Sequence, residues 1–275
     1  MKLLGRYAAS ALALFVAAIV FVVPFVFILT TALKDKTAAS ELRFGWPDSI
    51  HFWDNMTAVV SARNYMLLTA FFNSTILTVA SVAMLVVFAA MVGFVRQRRP
   101  SRWNPLIDFL VLTGLIMPPA VVPTIWVMQS LGIFKTLTGL VLIEVAYGLA
   151  FSILLFRAFI ATIPRELDEA AIMDGAGPFT LFFKVILPLL KPVAVTNVVV
   201  QSVAIFNDFT NPLYYLPGSK NVTVQLTLYN FQSQFNTAYN LLFMNILIIT
   251  IPPLIMFLFF NRQIVAGMTA GAVKA

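Results

Sequence analysis

From Tyr7 to Leu33 the chain carries no charged residue. A helix of that length, rising 1.5 Å per residue, is about 40 Å long, more than the ~30 Å hydrocarbon core of a bilayer. A secretory signal is the competing reading, because Lys2 and Arg6 precede the run. The apolar region of such a signal is only about 7–15 residues long, so a spanning helix is the better fit. In lipid, backbone polar groups are satisfied only by helices or closed barrels, and one long uninterrupted run selects the helix. Pro24 lies inside it and predicts a kink, which neighbouring groups tolerate when they satisfy the freed carbonyl.

The rest of the chain repeats the pattern. Apolar runs cover residues 67–95, 107–131, 137–156, 185–206 and 241–260. Sixty per cent of the residues are hydrophobic and 11% are charged, against about 25% charged in soluble domains. The fold expected is an all-α integral membrane domain over residues 1–275 with six transmembrane helices. The net charge of +7 comes from cations spread between the apolar runs, which points to loops beside a bilayer and not to nucleic acid. Twelve of the eighteen Lys and Arg residues fall in one alternate set of loops and six in the other. The positive-inside rule then predicts both termini, and the loop at 157–184, on the cytoplasmic side.

Polar residues inside the runs are candidates for packing or for a solute path. Asn73-Ser74 suits hydrogen bonding to a neighbouring helix. Pro118, Pro119 and Pro123 interrupt the third run, as a static kink or as an opened segment near a cavity. Glu144 sits about 10 Å along the fourth span, where a carboxylate costs up to about 3 kcal/mol and faces protein or water, in a pathway role or in structural pairing. Asn197, Gln201 and Ser202 share one side of the fifth span, and Asn207-Asp208 closes it. Glu144, Asn197, Gln201 and Asn207 are the candidate path residues. The loop that follows holds Tyr214, Tyr215, Tyr229, Phe231 and Phe235, which suit either sugar contact or an interfacial aromatic belt. His51, alone in the polar loop 34–65 beside Trp53, reads as a surface residue.

Several chemistries have no residues to stand on. The chain has no cysteine, no G-x-x-x-x-G-K-[ST] phosphate loop and no G-x-S-x-G elbow. Gly175-Ala-Gly177 follows no strand and is not a dinucleotide fingerprint. No metal or cofactor is expected on this chain, and it is not expected to be an enzyme.

One segment is polar where its surroundings are not. Residues 164–178 contain four of the eleven acidic residues. Pro164 suits the start of a helix, Glu166, Asp168 and Glu169 favour its N-terminal dipole, and Asp174-Gly175 ends it. Pro178 can open a second helix toward the fifth run. On these grounds the segment is either a surface connector or a docking element.

Glu169-Ala-Ala-Ile-Met-Asp-Gly175, followed by Ile186-Leu-Pro188, resembles the EAA loop of ABC importer membrane subunits. Asn73-Ser74, the stretch Phe206-Asn-Asp-Phe-Thr-Asn-Pro-Leu213 and the tail from Gly267 resemble the carbohydrate-importer permeases on the MalG-like side. Phe206 stands where that family often has Trp, and Asn261-Arg262 departs from its approach to the tail. The resemblance implies a type I importer fold with a coupling helix in the loop 164–183. Glu169, Ala170, Ala171, Asp174 and Gly175 would contact a separate cytoplasmic ATPase, with Glu169 pairing with a basic group there. It also implies a second, MalF-like permease, two copies of the ATPase holding ATP and Mg, and an extracytoplasmic solute-binding protein facing Tyr214, Tyr215, Tyr229 and Phe231. The tail would lie along the ATPases. The membrane would be a bacterial or archaeal cytoplasmic membrane. Without the resemblance, an ion-gradient-driven transporter using Glu144 and Asp208, or a membrane scaffold subunit, would fit the same sequence.

Overall fold

The computed structural model describes residues 2–218, 220–232 and 237–272, with side chains over 11–260 within them. Phe235 and residues 273–275 lie outside the described residues, as do the side chains of Lys2, Arg6, Asn261 and Arg262. The regular secondary structure of the described residues is all helix, with no strand among them.

In chain order the helices are α1 (Lys2–Ala32), α2 (Lys36–Ser40), α3 (Phe52–Arg98), α4 (Asn104–Ile116), α5 (Val121–Ser130), α6 (Leu137–Ile160) and α7 (Glu166–Met173). They continue with α8 (Pro178–Thr180), a π-helical turn (Leu181–Ile186), α9 (Leu187–Leu189), α10 (Lys191–Phe206) and α11 (Thr210–Tyr215). A 3-10 turn (Gln225–Asn230) and α12 (Tyr239–Ala272) complete the order. Among the described residues four helices are long and apolar enough to cross a membrane, or up to six spans if each of two bent pairs is one span.

The bent pairs show what proline does to an apolar run. The third run is α4 and α5, joined at 116°. Met117 is extended at the break (φ −69°, ψ 125°), as the residue before a proline is driven to be, while Pro123 sits in the first turn of α5, where no N–H is needed. The fifth run is not one helix from residue 185. It begins at Pro178, passes through the π-helical turn, and bends by 71° between Leu189 and Lys191. Pro192 has no N–H and crowds the carbonyl four residues back, which breaks the helix there. The loop 34–65 is also more ordered than a polar linker. It contains α2 and the first turns of α3, which is interrupted by left-handed backbone at Arg63, Asn64 and Tyr65 (φ 49°, 57° and 59°).

The chain packs as two compact units. One comprises Met1–Ala70 and Leu226–Ile251. In it, Asn55 is buried and its amide donates to the carbonyls of Ala32 (2.8 Å) and Lys34 (2.9 Å), acceptors that the end of α1 leaves open. Asn240 then donates to Asn55 Oδ1 at 2.8 Å, and Phe27 meets Phe243 edge-to-face at 5.5 Å. His51 bonds to Ser49 and Asp54 at the surface of this unit.

The second unit comprises Phe71–Gln225 and Pro252–Ala275. One apolar cluster joins Ala89, Ala90 and Phe94 of α3 to Phe156 and Ile160 of α6 and to Leu181, Phe182 and Ile186 of the π-helical turn. The approach is close: a Cβ on Gly93 would lie 3.1 Å from the backbone nitrogen of Arg157. A second cluster joins Leu77 and Leu85 of α3 to Met128 of α5, Leu140 and Ile143 of α6, Ile205 of α10 and Tyr215 of α11. Asn73 and Ser74 bond to loop backbone and not to a helix: Asn73 Nδ2 donates to the Val222 carbonyl, and Ser74 Oγ accepts from the Val224 N–H, both at 3.0 Å.

Candidate functional site

The second unit holds two sites of interest. The first is built on α7. Three acidic residues in its first turn face the positive end of the helix dipole. At its other end Gly175 is left-handed (φ 85°), with its N–H on the Ile172 carbonyl and that of Ala176 on the Ala171 carbonyl, both at 2.9 Å. That pair of bonds is the Schellman closure, and it needs a residue free to adopt positive φ.

The helix divides by face. Asp168 and Ala171, three apart, turn inward: Asp168 forms an ion pair with Arg98, and Ala171 packs on the first apolar cluster. Glu169, Ala170 and Asp174 are exposed, and so are Ile172 (58%) and Met173 (87%). Phe179 of α8 is 77% exposed beside them. Of the residues the sequence singled out here, Glu169, Ala170, Asp174 and Gly175 thus lie on the outer surface, while Ala171 serves the chain's own packing.

The second site is a cavity of about 460 Å³ between α6 and α10, roofed by the start of α11. Glu144, Tyr147, Gly148 and Phe151 line it from α6, and Val200, Gln201, Ala204 and Ile205 from α10. Asp208 and Asn211 close one end. Glu144 is 6% exposed and its Oε1 accepts from Asn211 Nδ2 at 3.2 Å. Asp208 accepts the backbone N–H of Thr210 at 2.8 Å, at the start of α11, and lines the same cavity as Glu144. Gln201 Nε2 donates to Ser152 Oγ (3.1 Å) and to the Gly148 carbonyl (3.3 Å). Gly148 makes this possible, because a Cβ there would meet Gln201 Oε1 at 3.2 Å. The cavity therefore presents carboxylate and amide groups along with the faces of Tyr147 and Phe151, a lining suited to a hydroxyl-rich solute.

The candidate path residues separate. Glu144 and Gln201 meet in the cavity. Asn197 is fully buried and outside it, with no hydrogen bond to its side chain. Asn207 is exposed, and its Oδ1 accepts from Gln225 at 3.2 Å. The aromatic loop residues divide likewise. Tyr214 and Tyr229 are exposed (46% and 47%), whereas Phe231 is 9% exposed and Tyr215 is fully buried. Tyr215 bonds to the Tyr147 hydroxyl at 2.9 Å. Burial, then that hydroxyl, pushes the Tyr215 phenol well above its ordinary range, so it stays neutral. Sequence reasoning missed Tyr147, Gly148, Phe151 and Asn211. The first three were within reach: they lie three, four and seven positions after Glu144, on one helical face. Among the described residues no three His, Asp or Glu side chains could hold a metal ion.

Comparison with known proteins places this arrangement. The family model described as "Binding-protein-dependent transport system inner membrane component" matches residues 85–269, a range that contains α7 and the whole cavity. The chain belongs to this family. It is 31% identical over 255 residues to the melibiose/raffinose/stachyose import permease protein MelC of Bacillus subtilis (strain 168), covering 92% of this chain and 91% of that one. It is 30% identical to the probable starch degradation products transport system permease protein AmyC of Thermoanaerobacterium thermosulfurigenes, covering 94% of each. In fold it resembles a chain of a bacterial ABC transporter involved in alginate import, with a TM-score of 0.81 over 95% of this chain and 96% of that one at 21% identity. The protein is thus a multi-pass membrane permease subunit, a transport component and not an enzyme.

Proposed function

We infer that this chain supplies half of the translocation path of an ATP-driven sugar importer and couples to a separate ATPase through α7. The observation that carries the coupling role is the two-faced build of α7. Asp168 and Ala171 fasten it to the chain, while Glu169, Ala170, Ile172 and Met173 are held outward and the Gly175 turn fixes the helix end. Exposed apolar side chains flanked by a carboxylate suit a protein partner that offers an apolar cleft and a basic group. ATP and Mg are held by that partner, a reading that family membership supports.

Each span, with the bent pairs counted as one, crosses the membrane in a six-span arrangement. Both termini and α7 lie on the cytoplasmic side of a bacterial or archaeal cytoplasmic membrane, a reading that the loop charges support. The working assembly is this chain with a second permease, two copies of the ATPase and an extracytoplasmic solute-binding protein that faces Tyr214 and Tyr229. The solute is a sugar or a related polyol or glycerol phosphate, a reading that the sugar-importing relatives and the cavity lining support. Glu144 and Gln201 contact it. Nucleotide-driven motion of α7 rocks the paired permeases between inward-open and outward-open states.

Co-purification followed by uptake in proteoliposomes tests this, with radiolabelled raffinose and maltotriose as the probes. The expected result is recovery with an ATPase subunit and uptake that requires both ATP and the binding protein. Uptake by the isolated chain driven by a proton or sodium gradient would overturn it. So would a complex that contains the ATPase, binds these sugars at its binding protein, and moves neither of them.

A further inference from the structure

The attachment of α7 includes one charged contact, and it is buried. Arg98, the last residue of α3, leaves 7% of its side chain exposed, and Asp168 leaves 13%. Arg98 Nε and Asp168 Oδ2 lie 2.8 Å apart. The same guanidinium donates through Nη2 to the carbonyl of Ile163 at 2.8 Å, in the turn that leads into α7. A buried guanidinium is tolerated only where its charge is compensated. Nη2 makes the one hydrogen bond, to the Ile163 carbonyl, while Nε meets the Asp168 carboxylate as an ion pair without a hydrogen bond. Arg98 therefore clamps the turn and the helix together. One turn earlier on α3, Phe94 belongs to the cluster on which Ala171 packs, so the apolar and ionic attachments reach the same end of the same helix.

The ionic connections continue from there. Arg96 pairs with Asp108 of α4, and Asp108 also accepts from Arg157 Nη1 of α6 at 2.9 Å. Along α6 lie Tyr147, Gly148 and Phe151, which line the cavity. Two separate sets of charged contacts, joined by the last turn of α3, thus link α7 to the helix that forms one cavity wall.

We propose that Arg98 is a positioning residue that transmits displacement of α7 to α3 and, through Arg96, Asp108 and Arg157, to the cavity wall on α6. The proposal rests on the reading of α7 as the ATPase-contacting helix. An apolar contact such as that of Ala171 can slide when α7 is pushed. A buried ion pair resists separation, because each charge would be left without its partner. The pair therefore makes α7 and the end of α3 move as one body.

The chain has no native cysteine, so a single Ala204→Cys reporter in the cavity can be read by maleimide labelling. The experiment uses the complete complex with its ATPase and partner subunits, without nucleotide, with ATP, and with ATP plus vanadate. With the native pair, nucleotide is expected to change the labelling rate by about fivefold or more. Arg98→Gln and Asp168→Asn should each remove that change while the ATPase remains bound and hydrolyses ATP. Arg98→Lys should restore part of it, and Arg98→Asp combined with Asp168→Arg should restore most. A nucleotide response that is absent with the native pair, or intact in either single variant, overturns the proposal. Loss of the ATPase from both single variants that the reversed pair does not recover also overturns it, because the contact is then merely structural. Glu169→Ala and Gly175→Val run in parallel. If they too leave assembly and response unchanged, the reading of α7 itself fails. If they abolish the response while the Arg98 and Asp168 variants keep it, only this transmission route fails.

Discussion

Two acidic side chains of the second unit, Asp168 on α7 and Glu144 on α6, are both largely withdrawn from water, yet they are held in opposite ways. Asp168 faces a cation, Arg98, at 2.8 Å. Glu144 faces a neutral amide, Asn211, at 3.2 Å, and a second carboxylate, Asp208, lines the same cavity. The first arrangement neutralises charge and fixes two helices against each other. The second leaves a polar group in a space of about 460 Å³ without a cation to match it. A fixed, compensated acid suits mechanical attachment, and an uncompensated one in a cavity suits contact with something that enters it.

Four substitutions sharpen or break that contrast. The largest effect belongs to Asp168→Asn. Removing one partner of a buried pair costs about 3 kcal/mol or more, and here it should appear as a looser attachment of a still-folded α7 to α3, with faster hydrogen exchange across residues 163–176 and unchanged exchange in α6. Equal protection in variant and parent would break the contrast. Next is Gly148→Leu, whose side chain must enter the space held by Leu85 and Gln201. Overpacking of this kind costs about 1–3 kcal/mol, so the melting temperature of the detergent-solubilised protein should fall, and Ala204→Cys labelling should slow as the cavity fills.

A smaller loss is expected for Gly175→Val, because the left-handed backbone (φ 85°) costs an L-residue about 1–2 kcal/mol. Recovery of the ATPase on affinity purification is the measurement, and undiminished recovery would show that the turn does not shape the docking surface. The smallest effect is Glu144→Gln. The amide still accepts from Asn211, so stability should change by less than about 1 kcal/mol, against the large loss at Asp168 for the same acid-to-amide change. A melting temperature that drops as far as in Asp168→Asn would mean that Glu144, too, is structural.

The segments where the sequence reading and the fold part company share a physical cause. The third run was expected to be interrupted, and it is, because the prolines dictate local backbone without help from neighbours. A helix opening at Pro178 was expected to lead into a span at 185, and it does, but through a π-helical turn and a 71° bend between Leu189 and Lys191. Nothing local marks that turn; it lies where Leu181, Phe182 and Ile186 pack on α3 and α6. Asn73 and Ser74 were expected to reach a helix and instead hold the backbone of residues 222 and 224, which come near only through the fold.

What the sequence determined by itself is whatever a local rule can settle. Uncharged runs long enough to cross a bilayer make membrane helices, and prolines bend them. An acidic, proline-initiated, glycine-terminated stretch makes a short helix with a fixed end. Helical spacing also put Glu144 on a common face with Tyr147, Gly148 and Phe151. The tertiary structure alone decided which polar residues meet. Asn197 and Gln201 lie one turn apart on the same helix, but one is sealed in the core and the other lines the cavity. Arg98 looked like one more basic loop residue until the fold brought Asp168 to it. Periodicity gives each helix its faces; which face meets which neighbour depends on how the helices pack, and that is set by the shapes of residues far apart in the chain.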